Sequence, residues 1–491
     1  MNEKEDIGVI PGEGIKIPGG AETAGKWTVM AMVDIGAFMA TLDASIVNIS
    51  LPKISLYFNV PLSGLVEWVI IAYLIVIVSL LLILGRLSDM LGQKLLWVSG
   101  LAVFTLGSAL CGAAPSLLSL VLFRALQGIG GAMLMAIGPA MITRAFPVGE
   151  RGRALGLLGV VVAAGTSAGP ALGGIITQVF SWRWIFYLNI PIGLIGVIAT
   201  LRLLTERMRP SWGGQRFDLW GAILLAAGLC SLMLGLSFGQ EWGWHSYPIL
   251  GLFAGSLGLL AAFCINERYV AQPLVDLSLF RSRLFSAAIA SSFLCFLALF
   301  AVMFLMPFYL EELLALAPHE AGLLMTVVPL TLSVVAPISG WLSDRFGSQV
   351  LSSLGLAISC VGLWFLSQLP ARVSNFDIVW PLVITGLGQG LFQAPNSNAI
   401  MSAVPPLRLG IASSFMATVR VLGQASSVAL SGAIFTMLGG ARAGAALVQK
   451  LDLPLAALEA TFLNAFRLAM LTCMAIAAVG VFTSLLRGKK S

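Results

Sequence analysis

Residues 85–92 read Gly-Arg-Leu-Ser-Asp-Met-Leu-Gly, and residues 340–347 read Gly-Trp-Leu-Ser-Asp-Arg-Phe-Gly. Five of the eight positions are identical, the offset is 255 residues, and both octapeptides lie between long apolar stretches. Arg153 and Arg408 recur at the same offset, each at the start of another apolar stretch. A polar turn repeated in register between apolar segments predicts a chain of two related halves, which in membrane chains is typical of transporters with a central site.

The composition is that of a membrane protein, because 58% of the residues are apolar and only 10% are charged. In soluble domains roughly a quarter of the residues are charged. A helix needs about 20 apolar residues to cross a bilayer core, and the sequence therefore predicts an all-α polytopic membrane protein with 14 transmembrane helices. These helices are predicted near residues 27–51, 64–84, 95–114, 118–142, 154–179, 184–204, 218–238, 246–266, 284–308, 320–342, 350–369, 377–401, 409–438 and 461–486.

The offset between the octapeptides also predicts how the helices are grouped. Six helices with short connections need about 180–200 residues, so an offset of 255 residues leaves room for two further helices. We expect two six-helix bundles and a peripheral pair of inserted helices between them. The predicted segments are a flexible cytoplasmic tail (1–26), an N-terminal bundle (27–204), the inserted pair with flanking cytoplasmic loops (205–283), a C-terminal bundle (284–486) and a second cytoplasmic tail (487–491).

The net charge of +6 comes from basic residues that cluster in the loops on the same side as the N-terminus. This asymmetry predicts a multi-pass protein of the cell (inner) membrane with both termini in the cytoplasm, and it does not indicate a nucleic-acid partner. The six cysteines form no CxxC pair and lie in or at the ends of apolar stretches, where they act as small packing residues. We expect no metal and no cofactor. The sequence contains neither a nucleotide-binding phosphate loop nor a nucleophile constellation, which argues against an ATP-driven pump and against an enzyme.

Charged residues inside apolar stretches are the first functional candidates, because each costs at least about 2.5–3.5 kcal/mol to insert. Asp43 lies eight residues before the end of the first predicted helix, and Arg124 lies six residues into the fourth. At about 1.5 Å per residue they reach similar depths from opposite directions. We predict that they pair. The pair is either a proton switch, in which the acid holds the arginine or a proton, or a static structural ion pair.

Asp34 and Arg420 are the other charges placed within the membrane. Asp34 lies nine residues before Asp43 and therefore on the opposite face of the first helix. It faces either the central cavity, where it would hold a cationic substrate or a second proton, or the interfacial water. Arg420 has no obvious carboxylate partner in the second half of the sequence, so it either faces the cavity and attracts anions or caps helix carbonyls.

Uncharged polar and aromatic side chains complete the predicted cavity. The amides either form hydrogen bonds between helices or line a wet cavity. The aromatic residues recur on one helix face, which packs against lipid and core or forms an apolar wall of a drug pocket. The assigned residues are Gln127, Phe296, Phe300, Gln389, Gln393 and Asn396.

Small residues and polar turns are expected to control the movement of the two halves. In the fifth predicted helix, glycines recur every four residues around a proline, and this face should pack closely against the other bundle. The octapeptides supply glycines for turns and an acid for a breakable contact between the bundles. The residues assigned to this gating role are Gly85, Asp89, Gly92, Lys94, Asp344, Arg345, Gly165, Gly169, Pro170, Gly173 and Gly174.

These motifs resemble those of a known family. The two octapeptides are similar to the cytoplasmic signature of the major facilitator superfamily. Residues 42–52 resemble the helix 1 signature of its fourteen-helix drug:proton antiporters, which are multidrug efflux proteins. Residues 124–130, 165–174 and 181–191 look like further motifs of that family, and the resemblance covers nearly the whole chain.

The resemblance implies the major facilitator fold and proton-driven efflux. It implies matching roles for Asp43, Arg124 and the Asp89 loop. Met90 and Gln93 stand where the family usually has basic residues, so the Asp89 loop departs from the family pattern at these two positions.

Motifs and composition together favour a proton-coupled antiporter that exports lipophilic, cationic drugs or toxic compounds from the cytoplasm by alternating access. It would act as a monomer among membrane lipids on a small-molecule substrate, with the proton gradient as its energy source. The nearest alternative is an exporter of a lipid or an endogenous metabolite that works by the same mechanism. An uptake carrier is a further alternative, although the Gly-Pro pattern of residues 165–174 resembles exporters.

Overall fold

The computed structural model describes residues 22–60, 66–204, 217–449 and 454–487, and the regular secondary structure of these residues is helical. We number its long helices α1 to α14. Three of them have a short extension: α6 begins with Trp184–Tyr187, α9 continues into a π-helical turn at Tyr309–Leu313, and α10 follows Pro318–Met325. A short helix, Gly440–Val448, follows α13. The bounds are α1 Glu22–Phe58, α2 Trp68–Leu91, α3 Gln93–Gly112, α4 Leu117–Ala145, α5 Arg151–Val179, α6 Asn189–Leu203, α7 Leu219–Trp242, α8 Tyr247–Tyr269, α9 Arg283–Phe308, α10 Val327–Phe346, α11 Ser348–Ser367, α12 Asn375–Ser402, α13 Leu409–Met437 and α14 Leu455–Leu485.

Most of these helices can cross a membrane by themselves. Among the described residues, twelve spans are long and apolar enough to do so. The remaining two helices, α12 and α13, meet the same criteria as a pair that is bent by 115° at its short connection. They contain 28 and 29 residues, or about 40 Å at 1.5 Å per residue, so each is long enough to cross. Counted separately they complete the expected fourteen, and counted as one broken span they give thirteen. The predicted all-α polytopic fold is confirmed.

The repeated octapeptides form the turns between α2 and α3 and between α10 and α11. Gly92 and Gly347 have φ angles of 98° and 87°, in a region that other residues rarely adopt. Each glycine reverses the chain without a loop, because α3 begins at Gln93 and α11 begins at Ser348. We call the side of the molecule that carries these two turns the signature face, and the other side the opposite face.

Hydrophobic packing joins the two halves at the signature face. One buried cluster there combines Trp97 and Phe146 of the first half with Phe285 and Ile400 of the second. Towards the opposite face, two clusters each belong to a single half. One cluster surrounds Phe186 of the first half, and another includes Tyr309, Phe462 and Phe466 of the second. The molecule is therefore in a conformation that is closed at the signature face.

The helices α7 and α8 lie beside the contact between the halves. They pack against each other, and α7 also contacts α2 of the first half and α13 of the second. The main helical neighbour of α8 in the described residues is α7, and most of the α8 side chains are not buried. The assignment of residues 205–283 to an inserted unit remains a prediction, and residues 205–216 lie outside the described residues.

Ordered structure extends into both of the segments that are predicted to be cytoplasmic tails. Helix α1 starts at Glu22, and Lys26 Nζ lies 2.6 Å from Glu150 Oε2, so residues just before 27 belong to α1 and not to a flexible tail. Arg487 is only 3% exposed because it folds back into the second half, where it donates to Asn396 and, at 3.2 Å, to Ser352. The remaining residues of the two predicted tails, 1–21 and 488–491, lie outside the described residues.

Candidate functional site

Asp43 and Arg124 form an ion pair that is buried inside the first half. Arg124 Nη1 lies 2.6 Å from Asp43 Oδ2, and the two side chains are 1% and 0% exposed. Arg124 also donates through Nε to the carbonyl oxygen of Val69 at 2.9 Å. Its guanidinium lies 4.2 Å from the centre of the Tyr73 ring. The structure thus brings together the two residues that were predicted to pair.

Two amides complete the surroundings of Asp43. Gln127 Nε2 and Asn189 Nδ2 each donate to Asp43 Oδ1 at 2.9 Å. Gln127 Oε1 accepts from Arg124 Nη1 at 2.8 Å, so Gln127 belongs to this network and not to the cavity to which the sequence assigned it. Asn189 was not predicted. The signal that would have identified it is an amide within the apolar stretch 184–204.

A proton on Asp43 would compete with the guanidinium of Arg124 for the negative charge of the carboxylate. Oδ2 faces Arg124, and Oδ1 already accepts from two amides. The three donors leave one lone-pair site free, on Oδ2, and a proton bound there would remove the negative charge that holds Arg124. Removing the charge of one partner leaves a buried charge uncompensated, which costs about 3–5 kcal/mol. Protonation would therefore favour a rearrangement that moves Arg124 away from Asp43.

Close helix packing positions these side chains. A Cβ added at Gly107 of α3 would lie 2.7 Å from the Cα of Gln127, and one added at Gly130 of α4 would lie 2.4 Å from the backbone nitrogen of Phe104. No side chain fits at these distances, so α3 and α4 meet backbone to backbone. On the other side of Asp43, α6 begins at Asn189 after a break in the helix, and Asn189 also donates to Ser108 Oγ at 3.0 Å.

The glycine face of α5 packs against α1 of the same half. A Cβ at Gly165 would lie 2.2 Å from Thr41 Oγ1, and one at Gly169 would lie 1.7 Å from Ser45 Oγ. Gly173 faces Ile46 of α1 in the same way. The expectation that this face meets the other bundle is therefore wrong.

The prediction failed because α5 has two faces of small residues, which lie about 120° apart around the helix. The other face carries Gly152 and Gly156, and it packs on Gly340 and Ala336 of α10. Gly174 has no atom within 4 Å of its added Cβ. The side chain of Pro170 lies outside the described residues.

Asp89 caps a helix of the other half. Its Oδ1 and Oδ2 accept hydrogen bonds from the backbone N–H groups of Gly410 and Ile411 at 3.0 and 3.2 Å, in the first turn of α13. A Cβ at Gly85 would lie 2.6 Å from the carbonyl oxygen of Gly410, so α2 and α13 touch through bare backbone. A carboxylate at a helix N-terminus satisfies free N–H groups and the helix dipole.

Asp344 makes the reciprocal cap. Its Oδ1 and Oδ2 accept from the backbone N–H groups of Gly152 and Arg153 at 3.0 and 3.2 Å, at the start of α5. Asn398 Nδ2 adds a third bond to Oδ1 at 3.1 Å. The two octapeptides thus reach across to each other's half and hold the signature face closed.

The basic residues of the octapeptide turns contact their own half. Lys94 Nζ donates to the carbonyl oxygen of Leu204 at the end of α6. The guanidinium of Arg345 lies 4.2 Å from the ring centre of Trp341. Their predicted gating role therefore has no direct contact between the halves in this conformation.

A cavity lies between the halves, and α4, α5, α9, α12 and α13 line it. Four of the predicted cavity residues are among the lining residues: Phe296, Gln393, Asn396 and Arg420. The first half contributes only apolar side chains and one glycine, whereas the second half contributes every polar side chain. The lining residues are Met135, Pro139, Leu155, Leu158, Gly159, Val162, Ser292, Phe296, Phe392, Gln393, Asn396, Ser397, Met416, Ala417 and Arg420.

The other predicted cavity residues lie elsewhere. Phe300 and Gln389 lie one helical turn nearer the opposite face than Phe296 and Gln393, and they do not line the cavity. Asp34 is also absent from the lining. Its Oδ1 is buried and has no hydrogen-bond partner among the described residues.

Comparison with known proteins identifies the family. The sequence profile described as the Major Facilitator Superfamily matches residues 33–427 and 288–490. The chain belongs to the Major Facilitator Superfamily. It is therefore a transporter with the major facilitator fold and not an enzyme.

Two curated relatives show what this superfamily member is similar to. The chain is 37% identical over 410 residues to the riboflavin transporter RibZ of Clostridioides difficile (strain 630), which covers 84% of this chain and 88% of that protein. It is 32% identical over 420 residues to the multidrug transporter protein MdtP of Bacillus subtilis (strain 168). This match covers 85% of this chain and 76% of that protein. The solved structure of the proton:xylose symporter XylE superposes with a TM-score of 0.61 over 94% of this chain and 95% of that one, and its 14% identity supports the fold alone.

Proposed function

We propose that this superfamily member is a proton-coupled antiporter that exports lipophilic drugs or other toxic compounds from the cytoplasm by alternating access. The positive-inside signal supports a cell-membrane protein with the signature face and both termini in the cytoplasm. In that orientation the conformation described above is closed to the cytoplasm. The protein works as a monomer among lipids, and the proton gradient is its energy source.

The buried network around Asp43 is the observation that carries this proposal. A carboxylate with an exposure of 0%, held by a guanidinium and two amides, is costly within a membrane, and such groups commonly mark proton pathways. In our proposal a proton from the opposite face displaces Arg124 from Asp43 as substrate is released outside. Loss of that proton to the cytoplasm restores the pair and resets the transporter.

Helix contacts suggest how the switch moves the two halves. Asp43 lies between Thr41 and Ser45, which touch the glycine face of α5, and Ser45 Oγ donates to the carbonyl oxygen of Gly165 at 3.3 Å. The other small face of α5 packs on α10 of the second half. A shift of α1 is therefore passed through α5 to the contact between the halves. The caps made by Asp89 and Asp344 then open when the cavity turns to the cytoplasm.

The relatives support the substrate class. Similarity to the multidrug transporter protein MdtP favours drug export. A second candidate is the export of an endogenous metabolite by the same mechanism, which similarity to the riboflavin transporter RibZ favours. The cavity gives no support to the expected cationic substrate, because Arg420 is the one charged residue among the described lining residues.

Transport by reconstituted protein tests the proposal. Purified protein in liposomes is given a panel of lipophilic dyes and drugs, with an imposed proton gradient and after a protonophore has collapsed it. We expect at least one compound to accumulate uphill only while the gradient exists. Uphill accumulation that persists after the collapse would contradict proton coupling.

A further inference from the structure

Arg420 is a cation in the cavity that lacks a partner. It lies eleven residues after Leu409, the first residue of α13, or about 17 Å along the helix. Among the described residues its guanidinium takes part in no hydrogen bond and no ion pair. The contrast with Arg183 is informative, since Arg183 donates to the carbonyl oxygens of Gly112 and Ala114 at 2.8 and 2.9 Å. Of the two alternatives for Arg420, capping of carbonyls is therefore excluded in this conformation.

The surroundings of Arg420 contain no compensating acid. Its charge is the one formal charge among the described lining residues. Behind the wall, Arg487 donates to Asn396 Oδ1, which adds a second positive charge near the cavity. Asp344 accepts a hydrogen bond from Asn398, which follows the lining residue Ser397 in sequence. Three N–H groups already donate to the carboxylate of Asp344. A cationic ligand would therefore meet only positive charge here.

We infer that this cavity binds amphipathic substrates with an anionic group, and that Arg420 binds that group. The inference rests on the proposed transport through this cavity and names its substrate class. A guanidinium forms short, charge-assisted hydrogen bonds with a carboxylate, phosphate or sulfonate, often in pairs. Gln393, Ser292 and Ser397 line the same wall and supply further hydrogen-bond donors for the anion.

The cavity wall opposite Arg420 indicates the chemistry of the rest of the substrate. It consists of apolar residues of α4 and α5, including Met135, Pro139, Leu155 and Leu158. Phe296, which is 9% exposed, adds an aromatic surface on the side of Arg420. A flat apolar body therefore lies against the first half while its anionic group points to the second half. Pockets of this type bind by apolar burial and take their specificity from a few polar groups.

Three fluorescent compounds with one ring system test this inference. They are 9-anthracenecarboxylate, its neutral amide and the cationic 9-(aminomethyl)anthracene. Binding to the purified protein is measured without any proton gradient, so that the result does not depend on proton coupling. We expect the carboxylate to bind at least about tenfold more tightly than the amide, and the amine to bind most weakly, because one charge-assisted contact is worth about that much.

Substitutions of Arg420 assign the preference to this residue. Arg420→Gln should lower carboxylate affinity about tenfold and leave amide affinity within about twofold, while Arg420→Lys should retain part of the preference. Arg442→Gln is the matched control, because Arg442 is exposed on the short helix after α13. Equal binding of the three compounds, absence of binding by all three, tightest binding of the amine, or an equal loss for all three in Arg420→Gln would each overturn the inference. Failure of proton-driven transport with an intact carboxylate preference would instead contradict the proposed function alone.

Discussion

The two halves share a gate but use their buried charges differently. Asp89 and Asp344 occupy equivalent positions, and each caps the helix of the other half that begins about 60 residues after the partner octapeptide. The charge pair has no such counterpart, because Ala298 and Val379 stand 255 residues after Asp43 and Arg124. Conversely, Gly165 stands 255 residues before Arg420.

This difference indicates a division of labour within a repeated scaffold. In the first half, the arginine is neutralised in the interior, and the wall that faces the cavity is apolar. In the second half, the arginine faces the cavity without a partner, beside amides and hydroxyls. The gate depends on backbone N–H groups, which every helix start provides, so the repeat can keep it in both halves. In our proposal, proton coupling and substrate recognition each need particular side chains, so each is assigned to one half only.

The largest expected effect on transport comes from neutralising Asp43, the buried acid of the first half. Asp43→Asn should lower the proton-driven accumulation of the transported compound roughly 100-fold. This fold-change corresponds to a coupling free energy at the upper end of the typical range. Binding of the transported compound should change little. Glu241→Gln, at an exposed acid near the end of α7, is the matched control. The measurement is uptake into proteoliposomes under an imposed proton gradient.

Folding of that variant needs a second measurement, because Arg124 would be left buried without its partner. Asp43→Asn should destabilise the protein by about 3–5 kcal/mol, and the double variant with Arg124→Gln should recover most of this loss. Thermal unfolding in detergent measures both. A double variant that is stable and still drives accumulation would show that the first half does not hold the switch.

The packing of α1 on α5 should respond next most strongly. Gly169→Ala places a methyl group against Ser45 and the backbone of Ile46 and should cost about 1–3 kcal/mol of stability, with slower transport. Gly174→Ala is the matched control because its added Cβ meets open space. Unfolding temperatures and initial transport rates compare the two. Equal effects of the two alanines would show that the glycine face does not transmit the switch.

The gate should respond by a smaller amount. Loss of one helix cap costs about 1 kcal/mol, so Asp89→Ala and Asp344→Ala should each raise the population open at the signature face several-fold. Asp344→Ala should have the larger effect because Asp344 accepts three bonds and Asp89 accepts two. Pulsed electron spin resonance between labels at Val148 and Leu407, exposed residues on opposite halves, measures this population in a background without cysteine. Unchanged distances in both variants would exclude the caps as the gate.

The smallest effect is expected at Asp34. It lies outside the cavity, and its Oδ1 has no partner among the described residues. Asp34→Asn should therefore leave transport within about threefold of the wild type and should not lower stability, because the buried Oδ1 atom makes no hydrogen bond that the substitution would remove. Transport rates and unfolding temperatures test this. A loss as large as that of Asp43→Asn would place a second proton site on α1.

The sequence predicted the fold and the charge pair because both follow from one-dimensional rules. Apolar length predicts helices, and depth along two antiparallel helices predicted that Asp43 and Arg124 meet. Which helix a face packs against is a three-dimensional property, so the partner of the α5 glycines was predicted incorrectly. Arg487 was assigned to a tail because it follows the last apolar stretch, yet it packs against Asn396 and Ser352.

Counting the protons released when substrate binds tests the central claim most directly. Purified protein in weakly buffered solution is mixed with a compound that it transports, and a pH-sensitive dye records release. If Asp43 exchanges a proton for Arg124, the wild type should release protons on binding, and Asp43→Asn should bind the same compound without release. Equal release by the two proteins would contradict the account.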